Sequence, residues 1–390
     1  MAGFSSQDEL IQKITAGQYK RIDNSKLTAP VHTAGGWHFL PGLGGFPNAT
    51  TYPSTVDLTW VNCSELNGDG TTLLGMQHGG NPGGSMTKHI VNVGAMIVAA
   101  AGAPWQAKLV DLQGYYRMSA ANVTGTSVRT CINHNTVTFS SVSGLQLQTS
   151  ANDFTSGTKV RFSNAGGALP VGLAALTDYW ISRVSAGVFR ISTTFANFLA
   201  GTYIAYTDGG SGTHTMRIEM PRYAQGVGCE AFFVSQTLPT AGGPTLSASA
   251  YDNTTDTPGS GARAFQGSPV MNATADSYAA RVLHSGNAAG KYGPFLPKQG
   301  GDLGIARINS FTWSGGTAYT GTGVVALCIV RPLLDIALPV TGMWCERDLV
   351  NQLASMPKVE DGACLCWMLF GTGATTTTSP FNSMIDLAWN

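Results

Sequence analysis

Short runs in which successive residues alternate in character dominate this chain of 390 residues. Tyr179 to Val184 show a period of two, the turn Ser185-Ala186-Gly187 follows, and a second run extends from Val188 to Thr193. A period of two is typical of a half-buried antiparallel strand, and a short glycine-containing turn between two such runs predicts a β-hairpin. Similar runs, divided by Gly, Ser, Asn and Asp, continue to about residue 215. We therefore predict a small β-module at residues 131–215.

Longer apolar runs outside this module predict the strands of a larger body. The runs HIVNVGAMIVAAAGAP, from His89, and AKLVDLQGYYRM, from Ala107, predict two strands of its core sheet. Val324 to Leu338 is interrupted by an arginine, a proline and an aspartate, and it predicts one buried strand leading into another. The apolar C-terminal residues Met384 to Asn390 predict a paired strand, because an unpaired end of this composition would expose apolar surface.

Two short helices complete the expected fold. Residues 6–16 begin with a serine that can cap the helix and have acidic residues in the first turn, and Cys345–Met356 precede a proline. With the strands, these features predict a mainly β fold. We expect an antiparallel sandwich or jelly-roll-like body, formed by residues 1–130 and 216–390, from which the inserted module 131–215 projects.

The charge content is low for a soluble domain. Only 11% of residues are charged, the formal net charge is zero and the mean hydropathy is +0.05, whereas about 25% charged residues is typical. A free monomer with so few charges has little electrostatic protection against association, so we expect a homo-oligomer or larger assembly. A folded monomer with a surface rich in Ser, Thr and Asn is the alternative. Zero net charge also argues against nucleic acid as a partner.

Targeting signals and cysteines add little. The sequence contains no run of eighteen apolar residues and no basic-then-apolar leader, so we expect no membrane segment and folding in a cytoplasm. The seven cysteines are scattered and odd in number, unlike a secreted disulfide scaffold. We expect most of them to be reduced and buried, with late oxidation as an alternative.

The motifs that carry chemistry are weak. His78 and His89 flank a glycine-rich loop with Asp69 upstream, but polar loop histidines are the simpler interpretation. Cys364 and Cys366 share one face of a strand, and zinc would need a second such pair. There is no GxSxG motif, and paired carboxylates for glycan cleavage are visible only in space. We therefore predict no enzyme activity, no catalytic residues, no metal and no cofactor.

Candidate interface residues come from apolar side chains at exposed positions. The first helix has one apolar stripe, the glycine-rich loops contain aromatic residues, and the last strand ends in a tryptophan. Aromatic side chains at exposed positions can anchor a protein interface or stack on sugars, and we favour subunit contact. The candidates are Leu10, Ile11, Ile14, Trp37, Phe46, Trp105, Tyr292 and Trp389, and Tyr52 and Tyr251 are further aromatics placed in loops.

Several segments resemble proteins of tailed bacteriophages. The module, with its pattern GTKVRF…LPVGL…TDYWI…FRIST…YTDGGSGTHT, is similar to a short β-insert of phage structural proteins. The body resembles a family of virion structural proteins in SSQDELIQKITAGQYKRIDNSKLTAP, LVDLQGYYRM, ARVLHSGNAAGKYGPFLPKQGGDLGIARINSFTW and LCIVRPLLDIALP…ERDLVNQLASMPKVEDGACLCWMLF…MIDLAWN. The resemblance implies a structural role in the particle and supplies no catalytic residues.

This resemblance, together with the low charge, predicts an outer capsid decoration, cement or head spike protein. Its partners would be the major capsid protein, other virion subunits and itself, with a trimer favoured, and its location would be the exterior of the capsid. A major capsid protein of the usual fold is less expected, because the sequence predicts no long helix. A tail or baseplate adhesin that contacts a host glycan or protein is the alternative, and a glycan-degrading enzyme is a third hypothesis.

Overall fold

The structure, a computed structural model, describes most of the chain. The described residues are 4–27, 35–41, 57–65, 75–79, 86–98, 104–119, 126–140, 146–149, 154–235, 245–261, 263–266, 281–283, 293–314, 324–372 and 379–390.

Antiparallel strands make up most of the described residues, and the mainly β fold predicted from the sequence is confirmed. The described residues contain two α-helices, α1 (Gln7–Thr15) and α2 (Phe195–Leu199), and two 3-10 turns, Ala224–Gly226 and Val350–Ser355. The strands are β1 Tyr19–Leu27, β2 Gly36–Leu40, β3 Trp60–Asn62, β4 Lys88–Ile97, β5 Trp105–Ser119, β6 Arg129–Thr130, β7 His134–Ser140, β8 Gln146–Thr149, β9 Lys159–Ala165, β10 Tyr179–Ser185, β11 Val188–Ser192, β12 Thr213–Ile218, β13 Glu230–Ser235, β14 Thr245–Asp252, β15 Arg281–Val282, β16 Arg307–Ser314, β17 Val324–Leu338, β18 Cys345–Asp348, β19 Lys358–Val359, β20 Leu365–Gly371 and β21 Pro380–Trp389.

Two large sheets form the body. The first has the order β1-β21-β4-β18, with β19 also paired to β4. The second has the order β17-β13-β15-β2-β20-β5-β3, and β17 also pairs with β5, so this sheet closes on itself. Alternate side chains of its strands fill its interior, and those on the outer face of β5, β17 and β20 pack against the first sheet. The sequence run from His89 and the run from Ala107 thus form strands of two different sheets, not of one core sheet.

The inserted module is a six-stranded closed barrel of order β10-β11-β8-β7-β12-β9. It occupies His134 to Ile218, close to the predicted limits of 131 and 215. The backbone N–H of Ile218 donates to the carbonyl of Asn133 (2.9 Å), so the chain leaves the body and returns to it at adjacent positions. Buried side chains of the barrel and of the body belong to one continuous hydrophobic cluster, which also contains residues of β14 and β16 from the three-stranded sheet β14-β16-β6.

The predicted hairpin is confirmed. Strands β10 and β11 pair antiparallel from Trp180 opposite Ser192 to Ser185 opposite Val188. Gly187 in the turn has φ +69°, and a Cβ there would lie 2.8 Å from the carbonyl oxygen of Thr149. Only glycine adopts this backbone conformation without strain and also leaves room for the neighbouring strand.

The two predicted helices have different outcomes. The first is confirmed as α1, and the Ser6 hydroxyl accepts a hydrogen bond from the N–H of Glu9 (3.1 Å) as its N-cap. The second predicted helix is instead strand β18 followed by the 3-10 turn Val350–Ser355. Pairing with the free edge of β4 satisfies backbone groups on both strands, and this long-range gain outweighs the local helical preference of residues 345–356.

The apolar run Val324 to Leu338 is one continuous strand of 15 residues rather than two strands. Pro332 is accommodated at a shift of register between Pro332 and Leu334 relative to β5. A bulge is one of the positions where a sheet accepts proline, since a ladder hydrogen bond is absent there.

The C-terminal strand and the cysteines match expectation. Strand β21 pairs with β1 on one side and with β4 on the other. All seven cysteines are free, and they are buried except Cys345, which is half-buried.

Candidate functional site

The predicted helical stripe is only partly available for contact. Leu10 is buried against the body, whereas Ile11 and Ile14 are 59% and 37% exposed. The Gln7 side chain of α1 also donates to the Oδ1 of Asn351 (2.8 Å), which fixes the helix on the 3-10 turn Val350–Ser355. A role of Ile11 and Ile14 in a subunit interface stays a prediction.

The prediction of exposed loop aromatics is wrong for Trp37, Trp105 and Tyr251. All three lie in strands, and at most 6% of each is exposed. Trp37 packs on Phe370 (ring centroids 5.2 Å apart). Glycine-rich sequence around these residues suggested loops, but their own β-propensity and pairing placed them in the core.

The remaining predicted aromatics are at the chain end or outside the described residues. Trp389 is half-buried at the end of β21, where its backbone N–H donates to the carbonyl of Gln18 (3.3 Å). Phe46, Tyr52 and Tyr292 lie outside the described residues. The interface role of these residues stays a prediction.

An exposed apolar surface that the sequence did not indicate lies where β4 ends. We call it the end patch; its members are between 39% and 51% exposed, and they are Val98, Val340, Met343 and Trp344. The turn between β17 and β18 reaches β4 through the N–H of Gly342, which donates to the carbonyl of Ile97 (2.7 Å). Apolar residues on both sides of a turn glycine are the signal that could have found this surface.

Trp344 is held in place by glycine and glutamate neighbours. A Cβ added at Gly94 would lie 2.4 Å from Cζ2 of Trp344, so the indole covers a position of β4 that has no side chain. The indole N–H donates to the carboxylate of Glu346 (2.7 Å). An apolar ring whose polar atom is already bonded is well suited to a protein contact, because burying it leaves no unpaired donor.

A cleft of about 290 Å³ lies at the junction of the barrel and the body, and we call it the junction cleft. Barrel residues form one side and three separate body segments form the other. Its lining residues are Asn62, Ser64, Gly157, Trp180, Phe195, Pro221, Arg222, Tyr223, Ala224, Glu360, Asp361 and Gly362.

Hydrogen bonds hold the barrel side of the junction cleft against the body side. The Asn62 backbone N–H donates to the Thr155 hydroxyl (3.1 Å), and its side-chain amide donates to the carbonyl of Gly157 (3.1 Å). Gly362 has φ +69°, and a Cβ there would lie 3.4 Å from the ring of Phe195. The ring therefore sits directly on the backbone of the body.

The body segment that carries Tyr223 has an unusual backbone. Tyr223 and Gln225 have φ of +53° and +51°, a conformation that costs about 1 kcal/mol or more for residues other than glycine. A Cβ at Gly226 would lie 1.9 Å from the carbonyl oxygen of Ile305, so close backbone contact fixes this segment. The guanidinium of Arg331 lies 5.4 Å from the Tyr223 ring centroid and supports the ring.

Arg222 forms the floor of the junction cleft with its charge already neutralised. Its Nε and Nη2 donate to the two carboxylate oxygens of Asp111 (2.9 and 2.7 Å). Further donations reach the carbonyls of Cys63 (3.0 Å) and Leu112 (2.7 Å), and Asp111 also accepts from the N–H of Cys364 (2.8 Å). Burial opposes the charge on Arg222, but Asp111 more than compensates and the pKa of Arg222 is raised.

The prediction of polar loop histidines is wrong in part, because both His78 and His89 are buried and His89 lies in strand β4. His78 is buried, its Nε2 is 3.3 Å from Glu65 and 2.9 Å from the carbonyl of Ala363, and Lys88 Nζ is 2.9 Å from its Nδ1. Burial lowers the pKa of His78, although Glu65 opposes this, and a neutral ring can accept from Lys88. His89 is buried as well, and Asp69 lies outside the described residues.

Four buried cysteines belong to one hydrophobic cluster of the body: Cys63, Cys328, Cys364 and Cys366. Burial raises the pKa of Cys63, Cys328 and Cys364 well above the usual range, so their thiols are protonated at neutral pH. Over the ranges that the structure describes, no three His, Cys, Asp or Glu side chains are arranged to hold a metal ion. These cysteines therefore act as small apolar side chains.

Comparison with known proteins gives no family. No protein-family model matches the chain, and no curated protein matches it. None of the described helices is long and apolar enough to cross a membrane. The proposals below therefore depend on the sequence patterns and on the geometry of the end patch and the junction cleft.

Proposed function

We propose that this protein is a structural subunit of a tailed-phage virion, an outer capsid decoration or cement protein that binds neighbouring subunits. The observation that carries the proposal is the end patch. Three apolar side chains accompany a tryptophan whose indole N–H is already bonded, and all four residues are about 40% to 50% exposed. Clustered aromatic and aliphatic side chains of this kind are typical of protein interfaces.

The composition supports a protein that works in an assembly. With 11% charged residues and no net charge, like charges do little to keep copies of the chain apart. The end patch lies beside β18, the four-residue edge strand of the first sheet. A partner that covers the patch would also cover this edge, which protects the sheet from unspecific pairing.

Assembly of purified protein with heads that lack it tests this proposal. Trp344→Ser should reduce co-sedimentation with heads, and the self-association seen by light scattering, by about tenfold or more, the loss expected for a central interface tryptophan. Leu303→Ser is the matched control, since Leu303 is 62% exposed and is not in the end patch. Cryo-electron microscopy of intact particles should show many copies on the capsid.

Two outcomes would refute the proposal: binding by Trp344→Ser as strong as by the unchanged protein, or the absence of the protein from the particle.

A second candidate function is adhesion to a host surface through the barrel. The connection between β9 and β10 exposes Val171 by 66% and Leu176 by 77%, and Leu176 has φ +60°. An exposed, strained apolar residue is a reasonable contact point for a receptor. A few copies at the tail, rather than many on the head, would favour this function.

A further inference from the structure

We propose that the junction cleft binds an organic ammonium group, of the kind found in choline or in a methylated lysine. The inference goes beyond the proposed assembly function and concerns a different surface. Three aromatic side chains, Trp180, Phe195 and Tyr223, line the cleft together with the carboxylates Glu360 and Asp361. Aromatic faces combined with negative charge are the chemistry that recognises alkylated ammonium ions.

The three rings that line the cleft come from three separate elements. Trp180 is on strand β10, Phe195 begins α2, and Tyr223 is on the body segment that precedes the 3-10 turn Ala224–Gly226. Phe195 is fixed by its contact with Gly362 and by stacking on Phe198 (5.7 Å). Rings that are held before a ligand arrives lose little freedom on binding.

The strained backbone at Tyr223 gives a second reason to regard the cleft as a site. Two non-glycine residues with positive φ lie within three positions of each other, at Tyr223 and Gln225. Such strain is concentrated where a fold must present a side chain in one particular place. Here it places the Tyr223 ring, with Arg331 behind it, at the wall of the cleft.

The charges around the cleft favour a cation. Arg222 is the basic residue of the lining, and its guanidinium already donates to both carboxylate oxygens of Asp111 and to two carbonyls. The side chains of Glu360 and Asp361 are 31% and 46% exposed and can reach a ligand.

The lysine partners of these carboxylates leave room for a ligand cation. Lys358 bonds Glu360 (2.9 Å) as an exposed and therefore weak pair. Lys88 lies 3.6 Å from Asp361 and also donates to His78 and Gly79. Among the lining residues themselves, Glu360 and Asp361 are acidic and Arg222 is basic, so the lining carries one net negative charge.

The volume of the cleft suits a small group. About 290 Å³ is at the lower limit of ordinary ligand pockets, which start near ~300 Å³. A trimethylammonium head with a short tail fits this space, whereas a folded partner protein would reach it only with a single side chain.

Titration with choline, compared with its uncharged isostere 3,3-dimethyl-1-butanol, tests the proposal. The two molecules have the same shape, so a difference in affinity reports the charge alone. We expect saturable binding of choline by calorimetry, with the isostere at least about tenfold weaker, and weakening of choline binding as salt is added.

Two carboxylate variants that keep the shape of the cleft, and one variant that removes an aromatic ring, locate the site. Glu360→Gln and Asp361→Asn should each weaken choline binding several-fold, and Trp180→Ala by about tenfold, with circular dichroism confirming the fold. Val128→Ala is the control, because Val128 is 66% exposed, lies outside the end patch and does not line the cleft. Unchanged affinity is expected for this control.

Three outcomes would overturn the proposal. Choline and its isostere could bind equally well, or choline could show no saturable binding up to about 50 mM. Choline binding could also be unchanged in all three cleft variants. The carboxylate variants keep the test decisive even where Trp180→Ala fails to fold.

Discussion

The guanidinium of Arg222 joins segments that are far apart in the sequence. Through Asp111 and three backbone groups it links β5 to the residues that follow β3 and precede β20. Both side chains are almost fully buried, at 5% and 0% exposure. The pair therefore stabilises the fold only when both charges are present, since either partner alone would be an uncompensated charge in the core.

Asp111→Ala is expected to lower the free energy of unfolding by about 3–5 kcal/mol, because it leaves the Arg222 charge buried without a partner. Denaturation by urea measures this change. The exposed pair provides the control: Lys358→Ala should change the same quantity by no more than about 1 kcal/mol. Equal effects of the two substitutions would show that the buried pair contributes no more to the free energy of unfolding than the exposed pair.

The histidines next to the cleft make stability depend on pH. Burial lowers the pKa of both His78 and His89 below the value of 6.5 that applies to an unfolded chain. Below pH 6.5 the unfolded chain therefore binds protons that the folded chain does not bind. The contribution of the two histidines to the free energy of unfolding is therefore fully present above about pH 6.5, and it is lost as the pH drops below that value.

His78→Gln should reduce this pH dependence, because glutamine does not titrate and can still donate to the carbonyl of Ala363. Unfolding by urea at about pH 7.5 and pH 5.5 measures the slope. His134→Gln serves as the control, since His134 is exposed on β7. An unchanged slope for His78→Gln would rule out His78 as a source of the pH dependence.

At the scale of elements, local signals predicted some features and missed others for physical reasons. The β10–β11 hairpin and α1 could be predicted, because a turn glycine and an N-cap serine act within a few residues. Strand β18 could not, since its partner β4 lies about 250 residues earlier and its own sequence favours a helix. Pro332 likewise suggested an interruption, but a bulge against β5 absorbs it.

The C-terminal strand provides an element-scale prediction. Deleting Met384–Asn390 removes most of β21 and leaves β1 and β4 without their shared partner. Unpaired strand edges next to apolar residues promote association, so we expect aggregation of the truncated protein, measured by light scattering and by the yield of soluble protein.

Removal of only Trp389 and Asn390 is the graded control, because it affects the half-buried end of the same strand. This shorter truncation should remain soluble. A soluble protein that lacks all of 384–390 would show that β21 is dispensable.

At the scale of the whole molecule, the barrel and the body share one hydrophobic cluster. Phe139, Phe162 and Met216 of the barrel belong to the same cluster as Trp60 and Phe233 of the body. Two units with a common core lose contacts together when either unfolds. We therefore expect one thermal transition, with the calorimetric and van't Hoff enthalpies in agreement.

A core substitution in the barrel tests this expectation. Phe162→Ala should lower the free energy of unfolding by about 3–5 kcal/mol and therefore lower the midpoint of the single thermal transition. It should not create a second transition. Val171→Ser is the control, since Val171 is 66% exposed, and it should leave the midpoint unchanged. Two resolved transitions would mean that the barrel unfolds on its own.

The junction cleft could not be predicted from the sequence. Its lining extends from Asn62 to Gly362 and comes from six separated segments, none of which has a recognisable motif. The alternation in β10 places Trp180 on the opposite face from Tyr179, but it gives no information about which body segment lies opposite. The end patch, in contrast, left a local trace in apolar residues beside Gly342.

The single hydrogen bond between Ile218 and Asn133 has a consequence for how this chain can change over time. Because the inserted segment begins and ends at neighbouring positions, the flanking strands keep their positions whatever the segment contains. An entire module can therefore be gained, lost or exchanged at this point without a change in the strand pairing of either sheet. Variation between relatives should therefore take the form of whole modules replaced between residues 133 and 218, with the flanking strands left in register.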